Sequence, residues 1–459
     1  MDEAPLHIAV FPWFAMGHLI PYIQLSNKLA KRGHRISFII PRKTRSKLDQ
    51  FNLYPRLITF YPITLPPCDG LPDYAETTSD VPPPFFRLIM AAMDRTENQI
   101  EELLLQLKPQ IVFFDFVYWL PNLACKLGIK SVLFLIINPA TVGYNASPAR
   151  LLQGSKLTEA DLMKPPSGFP SSSMKLHPHE AKIFAWRRTL DFGNGIFFHD
   201  RLYKGLTQTD AIAFKGSTEI EGPFVDYLAN QYGKPALLSG PVVPEPPTSR
   251  SDEKWARWLE QFKEDSVVYC AFGSECILQT AQFQELLLGL EMTGLPFLVA
   301  LLKPPGGFES VEAAMPEGFK ERVKERGIIY GGWVQQQVIL AHSSVGCFIT
   351  HCGAGSITEG LVNKCQLVLL PQTLPDHIMN SRMMSSELKV GVEVERGEED
   401  GLFSRGSVCK AVKIVMDDES ETGKEIRENH AKLRSYLLSN DSESSHMDRF
   451  CEKLRDLLR

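Results

Sequence analysis

Positive charge is scarce in this chain: 49 Lys and Arg stand against 54 Asp and Glu over 459 residues, a formal net charge of −5. No basic face of the kind that neutralises nucleic-acid phosphates is expected. Long apolar runs are missing, so no integral membrane segment is predicted, and the opening MDEAPLHIAV is acidic and too short for a signal-peptide core. No paired Cys-X-X-Cys accompanies the nine cysteines. An odd number set mostly in apolar patterns, as at Cys125, Cys270 and Cys347, reads as buried reduced thiols and not as a disulfide framework. No Asp-X-Asp triplet occurs, so no metal is expected, and no repeat of solenoid period is present. These absences leave a cytoplasmic, monomeric protein that handles small molecules.

What is present is a strand-and-helix alternation in both halves. HIAVFPWF is a β-rich run; after Gly17 and His18, Tyr22, Leu25 and Leu29 share one helical face, and Gly33 can stop the helix. RISFIIP returns to strand, and IEELLLQLKPQ, IVFFDFVYW, LPNLACKLGI and SVLFLII continue the series, which predicts a parallel sheet covered by helices. The Pro-, Ser- and Lys-rich stretch from about 147 to 186 reads as loop with short helical pieces, placed to wall a substrate site. PVVPEPPTSRSD can hold neither helix nor central strand and marks a linker. The division expected is 1–240 for an acceptor domain, 241–252 for the linker and 253–440 for a donor domain. The last helix, 441–459, should pack back on the first domain through Met447, Phe450, Cys451, Leu454 and Leu458. The fold class is therefore α/β: two doubly wound, Rossmann-type domains facing across a cleft, with ligands at the carboxyl ends of the strands.

The most informative stretch is VGCFITHCGAGSITE, Val345 to Glu359, where an apolar strand runs into a glycine-rich turn before a helix. Such a turn leaves backbone N–H groups without intrahelical partners at the positive end of the helix dipole, which suits an anion. A dinucleotide-dependent dehydrogenase would want Gly-X-Gly-X-X-Gly after the first strand, where it is absent.

The whole segment from Trp333 to His377, WVQQQVILAHSSVGCFITHCGAGSITEGLVNKCQLVLLPQTLPDH, resembles the donor-binding signature of plant family 1 UDP-glycosyltransferases, which reads W-x-P-Q, H-C-G-W-N-S, E, P and D-Q. Spacing from Trp333 through His351, Ser356 and Glu359 to Pro371 agrees without a gap. FPWFAMGH, FFDFVYWLP and AFGSE resemble the same family, in particular the branch that adds a sugar to a sugar already on a flavonoid or similar aglycone. The resemblance implies a GT-B-like enzyme with a UDP-sugar donor and a small glycoside acceptor, a flavonoid or terpenoid glycoside. It needs no other cofactor. The same family also includes enzymes that act on the bare aglycone. A UDP-sugar epimerase would need acidic catalytic residues in place of a His–Asp pair, and a non-catalytic UDP-sugar-binding protein would be expected to lose that pair.

Site residues follow from chemistry and resemblance together. Trp333 can stack on uracil, with Gln336 reading the base edge through its backbone. His351, Gly353, Gly355 and Ser356 can hold the diphosphate, Glu359 can accept from the ribose hydroxyls, and Ser274 adds a second phosphate donor. His18 is the candidate base and Asp115 the carboxylate that orients it. Plainer readings exist: His18 as a packed residue, Asp115 as a cap, Trp333 as core, and His351 with Cys347, Cys352 and Cys365 as a zinc set. The signature also departs from its family pattern. Gln335 replaces a proline, and Ala354 and Gly355 replace Trp and Asn. The final pair admits two alignments: without a gap Pro375 and Asp376 fall at the sugar-reading positions, and with one inserted residue Asp376 and His377 do, the alignment preferred because the downstream IMNSRMM then matches the family's continuation. His377 stands where Gln is usual in glucose users.

Overall fold

The computed structural model describes residues 4–150, 157–241, 253–273 and 276–459. The first sheet is built from β1 (His7–Phe11), β2 (Arg35–Pro41), β3 (Ile58–Ile63), β4 (Ile111–Phe114), β5 (Lys130–Leu135), β6 (Ala211–Phe214) and β7 (Ala236–Leu238). The second contains β8 (Val267–Ala271), β9 (Phe297–Ala300), β10 (Gly327–Tyr330), β11 (Val345–Thr350), β12 (Gln366–Leu369) and β13 (Gly391–Glu393). Their orders are β3-β2-β1-β4-β5-β6-β7 and β10-β9-β8-β11-β12-β13, and every strand pairing is parallel, as at Ile8 with both Ile36 and Ile111. In each sheet the chain winds outward one way and then reverses. The reversal falls between β1 and β4 in the first sheet and between β8 and β11 in the second, and a crevice opens at such a point beyond the strand ends.

Helices cover both faces, which explains why these strands are almost continuously apolar and do not alternate. Ala9, Phe11, Val112 and Phe114 point into one core of the first sheet, while Ile8, Val10, Ile111 and Phe113 point into the other. The second core is closed by the C-terminal helix Asn440–Asp456. Its Met447, Phe450, Cys451 and Leu454 are buried there, and the Phe450 ring lies 6.2 Å from that of Phe113. Arg32 bonds Asp448 across the same contact at 2.6 Å. Leu458, expected in that stripe, is 38% exposed, because the helix ends two residues before it.

One further expectation meets a different outcome. All nine cysteines are free thiols, but Cys125 is exposed, on the outer side of the short helix Leu120–Lys126. The segment expected to wall a substrate site packs against both halves of the chain: Phe169 lies against Tyr144, Phe224 and Tyr227 of the first. Met174, Leu176, Ala181 and Phe184 share a buried cluster with Tyr269, Phe348, Ile378 and Met379. Fully burying a side chain of that size contributes roughly 1.5–3 kcal/mol. His177 and His179 go with them: His179 Nδ1 meets the Glu398 carbonyl at 2.8 Å. The stretch 242–252, most of the predicted linker, lies outside the described residues. Among those described, no helix is long and apolar enough to cross a membrane.

Candidate active site

The first crevice brings an imidazole and a carboxylate together. β1 ends at Phe11, and the helix Met16–Lys31 begins soon after, placing His18 in its first turn. β4 ends at Phe114, so Asp115 emerges beside it at the neighbouring strand end. His18 Nδ1 and Asp115 Oδ2 are 2.8 Å apart, with the carboxylate buried and the imidazole 18% exposed. The other carboxylate oxygen, Oδ1, accepts from the backbone N–H of Trp13 at 2.8 Å and of Phe116 at 2.7 Å. A buried carboxylate is tolerated only when so paired and hydrogen-bonded. Because Asp115 accepts at both oxygens, His18 donates from Nδ1 and keeps the lone pair on Nε2, the tautomer a general base requires.

Aromatic rings surround this pair. Phe116 lies 5.4 Å from the His18 ring, 5.4 Å from Phe192 and 5.1 Å from Phe198, and Trp13 lies 5.3 Å from Phe192. The turn carrying Phe192 is fixed by Gly193, whose φ of +99° and closeness to the Ala91 and Arg87 backbone leave no room for a side chain. Arg201 reinforces it, bonding both Asp94 oxygens at 2.9 and 2.6 Å and the Gly193 carbonyl at 2.8 Å. Phe192 and Phe198 were not singled out from the sequence. The aromatic density of FPWF, FFDFVYW and DFGNGIFF was the available signal.

The second crevice presents a histidine, glycines and a helix N-terminus. His351 follows β11, and Cys352 has φ +69°, a left-handed conformation unusual for a residue other than glycine and a mark of local strain. Gly353 caps the helix Ala354–Val362 without any side-chain hydrogen bond to its first N–H groups. A Cβ on Gly353 would lie 2.6 Å from His351 Nε2, and one on Gly273, after β8, 2.9 Å from it. Glycine thus leaves the imidazole room on both sides, once from each strand of the reversal, where a methyl group would have to push the ring aside. Gly355 differs, since a Cβ there meets nothing within 4 Å. Burial and then the neighbouring His377 push the His351 pKa down to about 3, against a smaller opposing effect of the Ala271 carbonyl. His351 is neutral at physiological pH and can offer one N–H.

Trp333, on the loop after β10, is 70% exposed and is not core. Gln336 bonds Glu359 Oε2 at 2.5 Å and Ser356 Oγ at 3.3 Å through its amide, and Gln337 reaches Glu359 Oε1 at 3.3 Å. The backbone N–H of Gln336 donates to the Val334 carbonyl at 2.9 Å. Asp376 and His377 fall in the first turn of the helix Pro375–Arg382. The His377 ring stands edge-on to His351, 4.8 Å between centroids, and Asn380 on the same helix bonds the Cys352 carbonyl at 3.0 Å. Ser274 lies outside the described residues. No group of three or more His, Cys, Asp or Glu able to hold a metal is found among the described residues.

The two halves meet in an open cleft lined on one side by Asn138, Lys215 and Ser217 and on the other by Ala354, Thr358 and Asn380. Burial lowers the Lys215 pKa to about 8 and raises that of Glu221, also on the cleft, to about 8.

Against known proteins, residues 263–435 match the model of the UDP-glucoronosyl and UDP-glucosyl transferase family. The chain is 60% identical over 458 residues to a cyanidin 3-O-galactoside 2''-O-xylosyltransferase of Actinidia chinensis var. chinensis, covering 100% of both chains. It is 56% identical over 452 residues to an anthocyanidin 3-O-glucoside 2''-O-glucosyltransferase of Ipomoea nil, covering 98% of each. Among solved structures it is similar to apo UGT2 of Phytolacca americana, with a TM-score of 0.79 at 24% identity over 99% of this chain and 100% of that one.

Proposed function

Since the chain belongs to the UDP-glucuronosyl and UDP-glucosyl transferase family, we propose that its two crevices divide a single displacement between them. The protein is a UDP-dependent glycosyltransferase, and it moves a sugar from a UDP-sugar onto the sugar moiety of a flavonoid glycoside of the anthocyanidin 3-O-glycoside type. Both relatives named above act at a 2''-hydroxyl while differing in the sugar transferred. We assign the same hydroxyl as the nucleophile here.

In this reading the acceptor oxygen bonds to the anomeric carbon as the bond from that carbon to the diphosphate breaks. The bonding pair leaves on UDP, the acceptor proton passes to His18 Nε2, and the anomeric centre inverts. Asp115 stabilises the imidazolium that forms. The aromatic rings around His18 offer a flat acceptor its faces and edges. At the other crevice the developing diphosphate charge meets the N-terminus of the helix Ala354–Val362, the Ser356 hydroxyl and the N–H of His351. Trp333 stacks on the base, Glu359 takes the ribose hydroxyls, and Asp376 with His377 reads the transferred sugar. No step calls for a metal, a reading supported by the missing Asp-X-Asp triplet and by this set of neutral donors.

We also read the chain as an acceptor domain, 1–240, and a donor domain, 253–440, with the last helix returned to the first; two separate sheets and the burial of Phe450 support this. Nine unpaired thiols support a cytoplasmic site of action. The observation that carries the mechanism is the 2.8 Å His18–Asp115 contact at the strand reversal. His18→Ala should lower turnover at least about a hundredfold with UDP affinity nearly unchanged, as loss of a general base typically does. Near-normal turnover would remove the base assignment.

A further inference from the structure

Between the two halves lies a buried ionic cluster that the displacement itself does not use. Glu180 comes from the helix Pro178–Arg188 of the first half and is fully buried. Both its oxygens accept from Arg382 Nη2 at 3.0 Å, and Oε1 accepts from Arg396 Nη2 at 2.8 Å. Oε2 also accepts from the backbone N–H of His177 at 2.8 Å, capping its own helix. Glu393 completes the group, bonded to Arg382 and, at 3.4 Å, to Arg396. Two arginines and two glutamates balance, and three of the four belong to the second half. Without Glu180 the remaining three would carry a net positive charge in a site where the arginine side chains are 8% and 9% exposed.

The cluster grips the segment that carries Asp376 and His377 from both ends. Arg382 closes the helix Pro375–Arg382 that those two residues open. Arg396 reaches the Pro371 carbonyl at 3.3 Å, just before the loop that leads into that helix. In the middle, Ile378 and Met379 pack in the same buried cluster as Ala181 and Phe184, which follow Glu180 on its own helix.

We propose that Glu180 is a positioning residue for the donor sugar: docking of its helix against Arg382 and Arg396 sets where Asp376 and His377 stand, so that sugar selection in one half depends on an element of the other. The inference rests on the reading of Asp376 and His377 as the sugar-contacting pair. Misplacing a substrate-positioning group by about 1 Å can cost up to a hundredfold in rate.

The test compares folded Glu180→Gln with the parent enzyme in a competition between UDP-glucose and UDP-xylose on one glycoside acceptor. The expected result is a kcat lowered roughly tenfold or more, UDP affinity within about twofold, and a changed product ratio. A purely structural role would lower Tm but leave the product ratio alone. The double variant Glu180→Gln with Arg396→Gln restores charge balance, so it should regain Tm while the ratio stays shifted, because the hold on Pro371 is lost as well. If Glu180→Gln does not fold, Arg396→Gln alone carries the same readout. A parental ratio and kcat in the folded variant, or recovery of both in the double variant, overturns the inference. His377→Gln separates the two assumptions. If it shifts the ratio and Glu180→Gln does not, only the positioning role falls; if it leaves the ratio unchanged, the sugar-reading pair and the inference fall together.

Discussion

At the ends of β1 and β4 the chain places a buried carboxylate against an imidazole, whereas at the ends of β8 and β11 it places glycines, a helix terminus and a histidine held neutral. The same doubly wound geometry therefore carries two electrostatic designs. A proton acceptor needs a partner that stabilises its charged form once the proton arrives, and in the proposed mechanism Asp115 is that partner. A diphosphate brings its own charge, and a permanent carboxylate beside it would repel. In the proposed mechanism neutral N–H donors and the helix dipole take that role. The fold supplies the two crevices, and the side chains decide what each one does.

Breaking the first design should have the larger consequence. Asp115→Ala leaves His18 without the acceptor that fixes its tautomer and strands the Trp13 and Phe116 N–H groups, so turnover should fall about a hundredfold or more, with stability also reduced by roughly 1–3 kcal/mol. Steady-state kinetics beside a denaturation curve separate the two effects; parental turnover would show that His18 does not need this carboxylate. The second design should yield to a methyl group. Gly353→Ala drives a Cβ to 2.6 Å from His351 Nε2 and displaces the ring; UDP affinity, measured by calorimetry, should weaken about tenfold, equivalent to roughly 1.4 kcal/mol, with kcat less affected. Gly355→Ala, with no neighbour within 4 Å, is the control in the same helix turn and should leave the fold intact.

A finer test concerns the sugar. His377→Gln should shift the product ratio of mixed UDP-sugars toward glucose, since a lost or gained hydroxyl contact in a buried polar site discriminates more strongly than apolar bulk. An unchanged ratio would show that this side chain does not read the sugar.

The smallest effect expected is on stability against pH. Burial is the main cause that lowers the pKa values of His34, His199 and His430 to about 4 and of His351 to about 3, from an ordinary 6.5. These residues stay neutral in the folded protein while the unfolded chain takes up protons below about pH 6.5, so stability is present above that pH and is lost as pH falls toward 4. Glu221, raised by burial to about 8, works in the opposite sense between about 4.5 and 8 and offsets one of the four. Tm should therefore drop by about 5 °C or more between pH 7 and pH 5. A flat profile would mean that these imidazoles are not held neutral.

Much of the fold and of the site was legible because it is written locally. Apolar runs bounded by turn residues gave the strands, and helical spacing gave the covering helices. The glycines around His351 and the His18–Asp115 pairing could be anticipated from residue chemistry, strand ends and resemblance to a known family. The same local reading misjudged Cys125, which sits in an apolar-looking helix but on its outer side, and Leu458, which lies past the helix end.

By itself the sequence determined the order of strands and helices, the two glycine turns and the residue types able to move a proton or hold an anion, because propensity and turn chemistry act between near neighbours. Only the tertiary structure decided that Phe192 would stand beside Phe116, and that Glu180 would meet Arg382 and Arg396 some two hundred residues away. Those contacts depend on which buried surfaces match when the halves close, and no local pattern records a charge waiting for its partner.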